Sequence, residues 1–271
     1  MRYWKITVLY YGKIIIPKGA ATPGLDPELM LESPYLGFLL TDGKRNILVD
    51  SGIDDRFIVD GKAWGGFAAE GGRAFVEKAL TGIGIDPLRI DTVLYTHLHN
   101  DHAANSSLFK KARLIFQKEE WQTLLDPLPV MKVRRDYDPN LIREFEGGNC
   151  LPVEGDFEPA EGIRCIQTPG HTPGCQSIAV RTERGIRILV GDHWHLYCMA
   201  FARQDEIVDM QGRVHKITPA PEAYGHFIPS SITYNYYDYY DSSYRILSMI
   251  PEDRPEFIIP GHDPSLVHTG V

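Results

Sequence analysis

The sequence predicts a layered α/β fold, and three observations carry that prediction. Short apolar runs of strand length alternate with stretches of helical periodicity along the 271 residues. Five of those runs stop abruptly at a residue able to bind a metal: Asp50, His97, His171, Asp192 and His262. Glycine stands beside His171, Asp192 and His262, where it permits tight turns and close backbone approach. Strands that end on the same side of a sheet bring their last residues together, the common way to build a site on such folds. Taken singly, an aspartate or histidine after a strand is more often a cap or turn residue. Five together make that explanation a poor one.

Taken in order, Lys5 to Tyr11 and Lys13 to Ile16 read as strands around Gly12, followed by a Gly- and Pro-rich loop from Pro17 to Pro27. Tyr35 to Thr41 is a strand, turned at Asp42-Gly43 into Asn46 to Val49, which ends at Asp50. A loop with Trp64 and Phe67 fills 53–72 and could cover a site, and Arg73 to Thr81 reads as a helix closed by Gly82. Ile90 to Tyr95 and Arg113 to Gln117 are strands, with a short helix expected over Ala103 to Phe109 and another over Lys118 to Leu125. Asp126 to Pro139 shows no clear period. Glu161 to Thr168, Cys175 to Thr182, Arg187 to Val190 and Phe257 to Ile259 complete the strands. A tyrosine-rich helix is expected to open near Ser230-Ser231 and end before Pro251, with Tyr237, Tyr240, Tyr244 and Leu247 on a face packed internally or against another subunit.

The densest chemistry lies in Thr96-His97-Leu98-His99-Asn100-Asp101-His102. His97 and His99 alternate at the period of an extended segment and point the same way, whereas Asp101 and His102 follow a turn and can face a neighbouring point. One loop could thus serve two metal ions. A mononuclear helical zinc site spaces its histidines four apart, as in H-E-x-x-H, and that pattern is absent. A merely polar loop is the bland alternative, but imidazole and carboxylate at this density suit divalent metals.

A net charge of -8 argues against nucleic-acid binding, and no apolar run approaches a membrane span, so a small-molecule substrate fits best. The four cysteines, without a C-x-x-C pair, read as reduced thiols, which points to a soluble, cytoplasmic, unprocessed protein forming one domain over 1–271. Neither a G-x-S-x-G elbow nor a G-x-x-x-x-G-K-[ST] loop is present.

In order along the chain, Val49-Asp50-Ser51-Gly52, the histidine loop, Thr168-Pro169-Gly170-His171-Thr172-Pro173-Gly174, Gly191-Asp192 and Pro260-Gly261-His262 resemble the motifs of the metallo-β-lactamase superfamily. The resemblance implies a four-layer αββα sandwich with a binuclear metal centre at one edge. It implies that His97, His99 and His171 hold one ion, that Asp101, His102 and His262 hold the other, that Asp192 bridges them, and that Asp50 orients a ligating imidazole from behind. Two divalent ions per chain follow, with zinc the first expectation and iron, manganese and cobalt alternatives. Within the superfamily the chain is most similar to the N-acyl homoserine lactonase-like branch, through its length, Gly261-His262-Asp263 and the sequence from Pro169 to Ser177. The implied activity is lactone opening by a metal-bound hydroxide, with Asp101 relaying a proton to the leaving group. Thioester, amide or β-lactam, and phosphodiester hydrolysis are the alternatives, and a degenerate metal-binding protein the non-enzymatic one. Those lactonases carry a tyrosine three residues after the bridging aspartate, and here the position is His195. Its imidazole could donate a hydrogen bond to the substrate carbonyl, or it is simply a packed or solvated histidine. A substrate-pocket insert is expected at about 196–240, and a homodimer is the expected assembly.

Overall fold

Alternation along the strands determines how the layers stack. The computed structural model describes residues 1–251 and 254–271. Its larger sheet contains β1 (Lys5–Pro17), β2 (Met30–Thr41), β3 (Asn46–Val49), β4 (Ala69–Gly71), β5 (Thr92–Leu94), β6 (Arg113–Gln117) and β7 (Asn149–Val153), in the order β4-β1-β2-β3-β5-β6-β7. The smaller sheet contains β8 (Phe157–Ala160), β9 (Ile163–Gln167), β10 (Gln176–Thr182) and β11 (Gly185–Gly191). After a separate ribbon of β12 (Glu206–Val208) and β13 (Val214–Lys216), it is completed by β14 (Ile258–Pro260), giving the order β14-β11-β10-β9-β8.

Phe38, Leu40, Ile47, Val49, Leu94 and Ile115 of the larger sheet face Ile178, Val180, Leu189 and Ile259 of the smaller one in a shared core. Their neighbours one residue away, Leu39, Leu48, Val93, Leu114 and Phe116, point outward into a second core. After the one-turn α1 (Lys18–Ala21), the next four helices close that core, α2 (Arg73–Gly82), α3 (Lys118–Leu125), α4 (Pro129–Arg134) and α5 (Asn140–Glu146), through Val76, Leu80, Leu124, Met131, Leu141 and Phe145. On the far side, Ile188, Val190 and Ile258 meet Tyr239 and Ile246 of a further helix, Tyr236–Leu247, and the aromatic pair Trp194 and Phe227. The result is helix, sheet, sheet, helix, and strands buried on both faces explain why their sequences read as continuous apolar runs. Each fully buried Leu, Ile or Phe in these cores stabilises the fold by about 1.5–3 kcal/mol.

Local chemistry moves several boundaries. The two expected N-terminal strands are one long β1, with the register against β2 shifting between Tyr10 and Lys13 at Gly12. The helix expected over Ala103 to Phe109 shrinks to a single 3-10 turn at Ser106–Leu108. Asn105 stands before it in the left-handed region (φ 60), its amide donating to the carbonyls of Ser51 and Ile53. The tyrosine-rich helix starts at Tyr236 rather than near Ser230-Ser231, because Asn235 Oδ1 accepts from the Tyr237 N–H at 3.0 Å and caps it. Ser230 Oγ instead accepts from the Ile232 N–H in a local turn.

The expected internal packing fails for Tyr237, which is 86% exposed, and holds only in part for the rest of that face: Tyr240 and Tyr244 are 36% and 55% exposed with one side of each ring on Phe227 at 5.3 and 5.4 Å, and Leu247 is partly buried. The opposite face is buried through Tyr239, Ser242, Ser243 and Ile246. Its small serines let the helix sit on the Pro169-Gly170 turn, where Ser242 Oγ donates to Pro169 O at 2.7 Å. A Cβ at Gly170 would lie 2.4 Å from Tyr239 Cα. Close approach therefore selects the serine face, and Tyr237 is turned out. Among the described residues no helix is long and apolar enough to cross a membrane.

Candidate metal centre

β3 and β5 run parallel, and β9, β11 and β14 share a direction in the other sheet, so all five end at the same edge. The two sheets are tied there by the Gln176 N–H donating to Thr96 O at 2.8 Å. Asp50 follows β3, the His97–His102 loop follows β5, His171 follows β9, Asp192 follows β11 and His262 follows β14. Their donor atoms converge into two groups, one of His97, His99, His171 and Asp192, the other of Asp101, His102 and His262.

Asp192 lies between the groups. Its Oδ2 is 3.6 Å from His171 Nε2, 3.9 Å from His97 Nε2 and 3.2 Å from His195 Nε2. Its Oδ1 is 3.0 Å from Nε2 of both His102 and His262. Asp101 lies at the second group's rim, 3.9 Å from His102 Nε2 and 3.8 Å from His262 Nε2. Gly261 keeps this crossing open, since a Cβ there would meet Asp192 Oδ1 at 2.7 Å.

Outer partners fix which nitrogen each ring turns inward. His102 donates through Nδ1 to Asp50 Oδ2 (2.8 Å), His171 to Ile232 O (2.7 Å) and His262 to Pro34 O (2.8 Å). Each ring therefore turns its Nε2 to the centre. His97 Nδ1 contacts Thr96 Oγ1 at 3.1 Å, and that hydroxyl donates on to Asp50 Oδ2 at 2.8 Å. Asp50 serves both chains because its backbone is left-handed (φ 58), a costly conformation for a non-glycine residue that the surrounding bonds maintain.

Two observations fit divalent cations. The Nε2 atoms of His102 and His262, both already donating through Nδ1, face each other at 3.2 Å, an arrangement of two acceptors that calls for a cation or proton beside them. His97 Nε2 is buried without any hydrogen-bond partner. The electrostatics of the bare site divide the rings. Burial holds His97 and His171 well below the usual imidazole range and His99 at about 3. Burial also opposes protonation of His102, but Asp192, Asp101 and Asp50 outweigh it and raise that ring well above the usual range. His262 is raised in the same way, mainly by Asp192. Asp192 resists the upward pull of burial because His102, His262 and His195 hold it far below the carboxylate range.

Residues 34–262 match the profile of the metallo-beta-lactamase superfamily, most of the chain and all of the converging ligand candidates from Asp50 to His262. The chain belongs to the metallo-β-lactamase superfamily. Among curated members, it is 26% identical over 186 residues to an N-acyl homoserine lactonase of Bacillus cereus, covering 66% of this chain and 71% of that protein. It is 28% identical over 184 residues to N-acyl homoserine lactonase AttM of Rhizobium radiobacter, covering 60% and 68%. Its fold superposes with a TM-score of 0.75 on a solved N-acyl homoserine lactone hydrolase bound to N-hexanoyl-L-homoserine, at 21% identity over 100% of this chain and 98% of that one. For the dizinc quorum-quenching lactonase AidC the TM-score is 0.69, at 15% identity over 97% and 88%.

In this superfamily member the donor groups open onto a cavity of about 640 Å³. His99, Asp101, His171, Asp192, His195 and His262 line it, whereas His97 and His102 lie behind. Trp64 of the early loop lines it too, while Phe67 packs on Trp64 at 6.2 Å. From the 196–240 stretch only Ser230 and Ile232 reach it. Sequence reasoning overlooked three residues here. Tyr35 lines the cavity edge-on to His262, at 6.2 Å, and Tyr137 stands edge-on to His99 at 4.9 Å. Glu120, fully buried on α3, accepts from the Leu98 N–H (2.8 Å) and the Gly174 N–H (2.9 Å), clamping the two histidine loops together. Its one sequence signal is a shared helical face with Leu124, where an acid has no reason to sit unless it is paired.

Proposed function

We propose that the protein is a metal-dependent hydrolase that opens lactones, in which His97, His99, His171 and Asp192 would hold one divalent cation and Asp101, His102, His262 and Asp192 a second. The observation that carries this reading is the placement of Asp192, whose two oxygens face different histidine groups at 3.0–3.9 Å. Zinc is the cation we assign first, because the donors are imidazole and carboxylate; iron, manganese and cobalt accept the same set. Bound there, a cation pair supplies water activation at neutral pH and polarisation of an ester carbonyl.

The chain's own residues account for the rest. Asp50 fixes the tautomer of His102 and, through Thr96, of His97. Asp101, half-buried at the cavity wall, is the carboxylate that takes the proton lost by the attacking water and passes it to the departing alkoxide oxygen. His195 lines the same cavity with its side chain 15% exposed, and its N–H donates to the carbonyl oxygen as negative charge grows there. Ile14, Ile16, Ile53 and Phe57 line an apolar side that takes the non-reacting part of the substrate and keeps water away from it. Homology to the curated N-acyl homoserine lactonases supports the lactone assignment.

The test sets a lactone panel, a thioester and a phosphodiester side by side on zinc-, iron-, manganese- and cobalt-loaded protein, with metal content measured by elemental analysis. About two ions per chain and turnover of a lactone above the other classes are expected. Preference for the thioester or phosphodiester, or fewer than two ions after loading, would overturn the assignment.

A further inference from the structure

The cavity lining includes two basic side chains without a carboxylate partner among the described residues, although the chain as a whole carries a net charge of -8. Apart from the ligand candidates, its charged lining residues are Lys62, Arg134, Arg135 and Asp136. Arg134 is neutralised, forked onto Asp136 with Nη2 2.6 Å and Nε 3.0 Å from Oδ2. Lys62 and Arg135 make no ion pair among the described residues, whereas their neighbours Arg56 and Arg134 both do. Two unpaired cations therefore remain at the opening.

Neither cation hangs from a loose segment. Arg135 ends α4 in the left-handed region (φ 61), and its guanidinium lies over the Phe57 ring at 4.8 Å. Its carbonyl accepts from the Asn100 side chain, and the next carbonyl, of Asp136, accepts the Asn100 N–H at 2.7 Å. Asn100 stands between His99 and Asp101, so the arginine backbone is pinned directly to the ligand loop. Phe57 is held from the other side, since Arg56 pairs with Asp138 at 2.9 Å. Lys62 sits on a tight hairpin in which its N–H and carbonyl bond Val59 O and N at 3.0 and 2.9 Å.

A guanidinium held over an aromatic ring still has N–H groups to offer, and their fork matches a planar carboxylate. An ammonium on the same wall adds a second charge, and a net positive opening raises the local concentration of anions. We propose that Lys62 and Arg135 form a carboxylate-binding subsite, so that the substrate is a lactone bearing an apolar arm that ends in a carboxylate. This inference rests on the lactonase reading above and narrows its substrate class.

The experiment uses metal-loaded protein and two γ-lactones with the same alkyl arm, ended in one case by a carboxylate and in the other by a methyl group. The ratio of their kcat/KM values is expected to favour the carboxylate by about tenfold or more, and to fall with rising ionic strength. Lys62→Gln and Arg135→Gln should each cut that ratio by about fivefold, Lys62→Arg should retain it, and the double substitution should bring it close to one. A wild-type ratio near one, or a ratio the substitutions leave alone, overturns the subsite. If neither lactone is opened, the lactonase reading fails, and the subsite is then read by calorimetry with the two ring-opened hydroxy acids. Tighter binding of the carboxylate-armed acid, lost in the double variant, sustains it; equal binding overturns it.

Discussion

Asp192 is the residue on which both donor groups depend. Asp192→Ala removes the carboxylate that lies between two sets of imidazoles, so bound cations would repel across the gap at full strength. Turnover is expected to fall by about three orders of magnitude or more, with at least one ion lost on dialysis; wild-type metal content and rate would remove the residue from the centre. His195 is expected to behave differently despite lying 3.2 Å from the same oxygen. His195→Ala should lower kcat by about 10²-fold while two ions stay bound, and His195→Tyr should restore part of the rate. Loss of an ion from the alanine variant would make the histidine a ligand instead. Far from the centre, Cys150 illustrates how burial mutes a thiol. Its pKa is pushed up to about 11 by burial, and it sits 3.0 Å from Phe145 O. At pH 8 only about one molecule in a thousand carries the thiolate, so alkylation of the folded protein should be slow and should accelerate as pH rises towards 11. Titration in denaturant should find four free thiols; fewer than four would reveal oxidation.

At the level of elements, what a segment contributes depends on the neighbour it meets. The helix over Lys118–Leu125 is readable from periodicity alone, yet the reason for Glu120 within it is tertiary: its carboxylate satisfies two loop N–H groups that belong to segments 22 and 54 residues away. Burial raises its pKa, and the two N–H donors and the Tyr137 hydroxyl oppose that rise. Glu120→Ala should destabilise the fold by about 2–5 kcal/mol, because two buried donors lose their acceptor. Metal affinity should weaken in parallel, since the loops carrying His99 and His171 are no longer clamped. A denaturant midpoint and metal affinity equal to wild type would show the clamp to be idle. The tyrosine-rich helix shows the converse limit. Helical spacing groups Tyr237, Tyr240 and Tyr244 correctly, but period alone does not say which face turns inward, and the turn at Gly170 admits only the serine side. The ribbon of β12 and β13 and the helices over 129–146 were invisible because short, mixed-charge segments have no amphipathic period and owe their structure to the surfaces they rest on.

On the scale of the whole molecule, the residues gathered at the sheet edge are those that the sequence marks by a strand stopping short. That legibility has a physical basis: a strand buried on both faces has no polar positions, so the first polar residue after it announces the edge. The rest of the cavity lining had no such mark. Tyr35 lies within an apolar strand, and Lys62 and Arg135 lie in loops whose composition resembles any solvated surface. Since the donors come from both sheets, a chelator should reduce global stability and not only activity. Removing metal is expected to lower the melting temperature by about 5–15 °C, reversibly on adding the cation back. An unaltered melting curve in the chelated protein would mean that no structural free energy is drawn from the site.

The bond from His262 to the Pro34 carbonyl joins residues 228 positions apart, and β14 enters the smaller sheet beside a strand made long before it. During synthesis, His97, His99, His171 and Asp192 all emerge while the slot next to β11 is still vacant. Long-range pairings of this kind form slowly and late. Under the proposed assignment the first donor group can therefore be complete before the second, which needs the strand that leads to His262 in place beside β11.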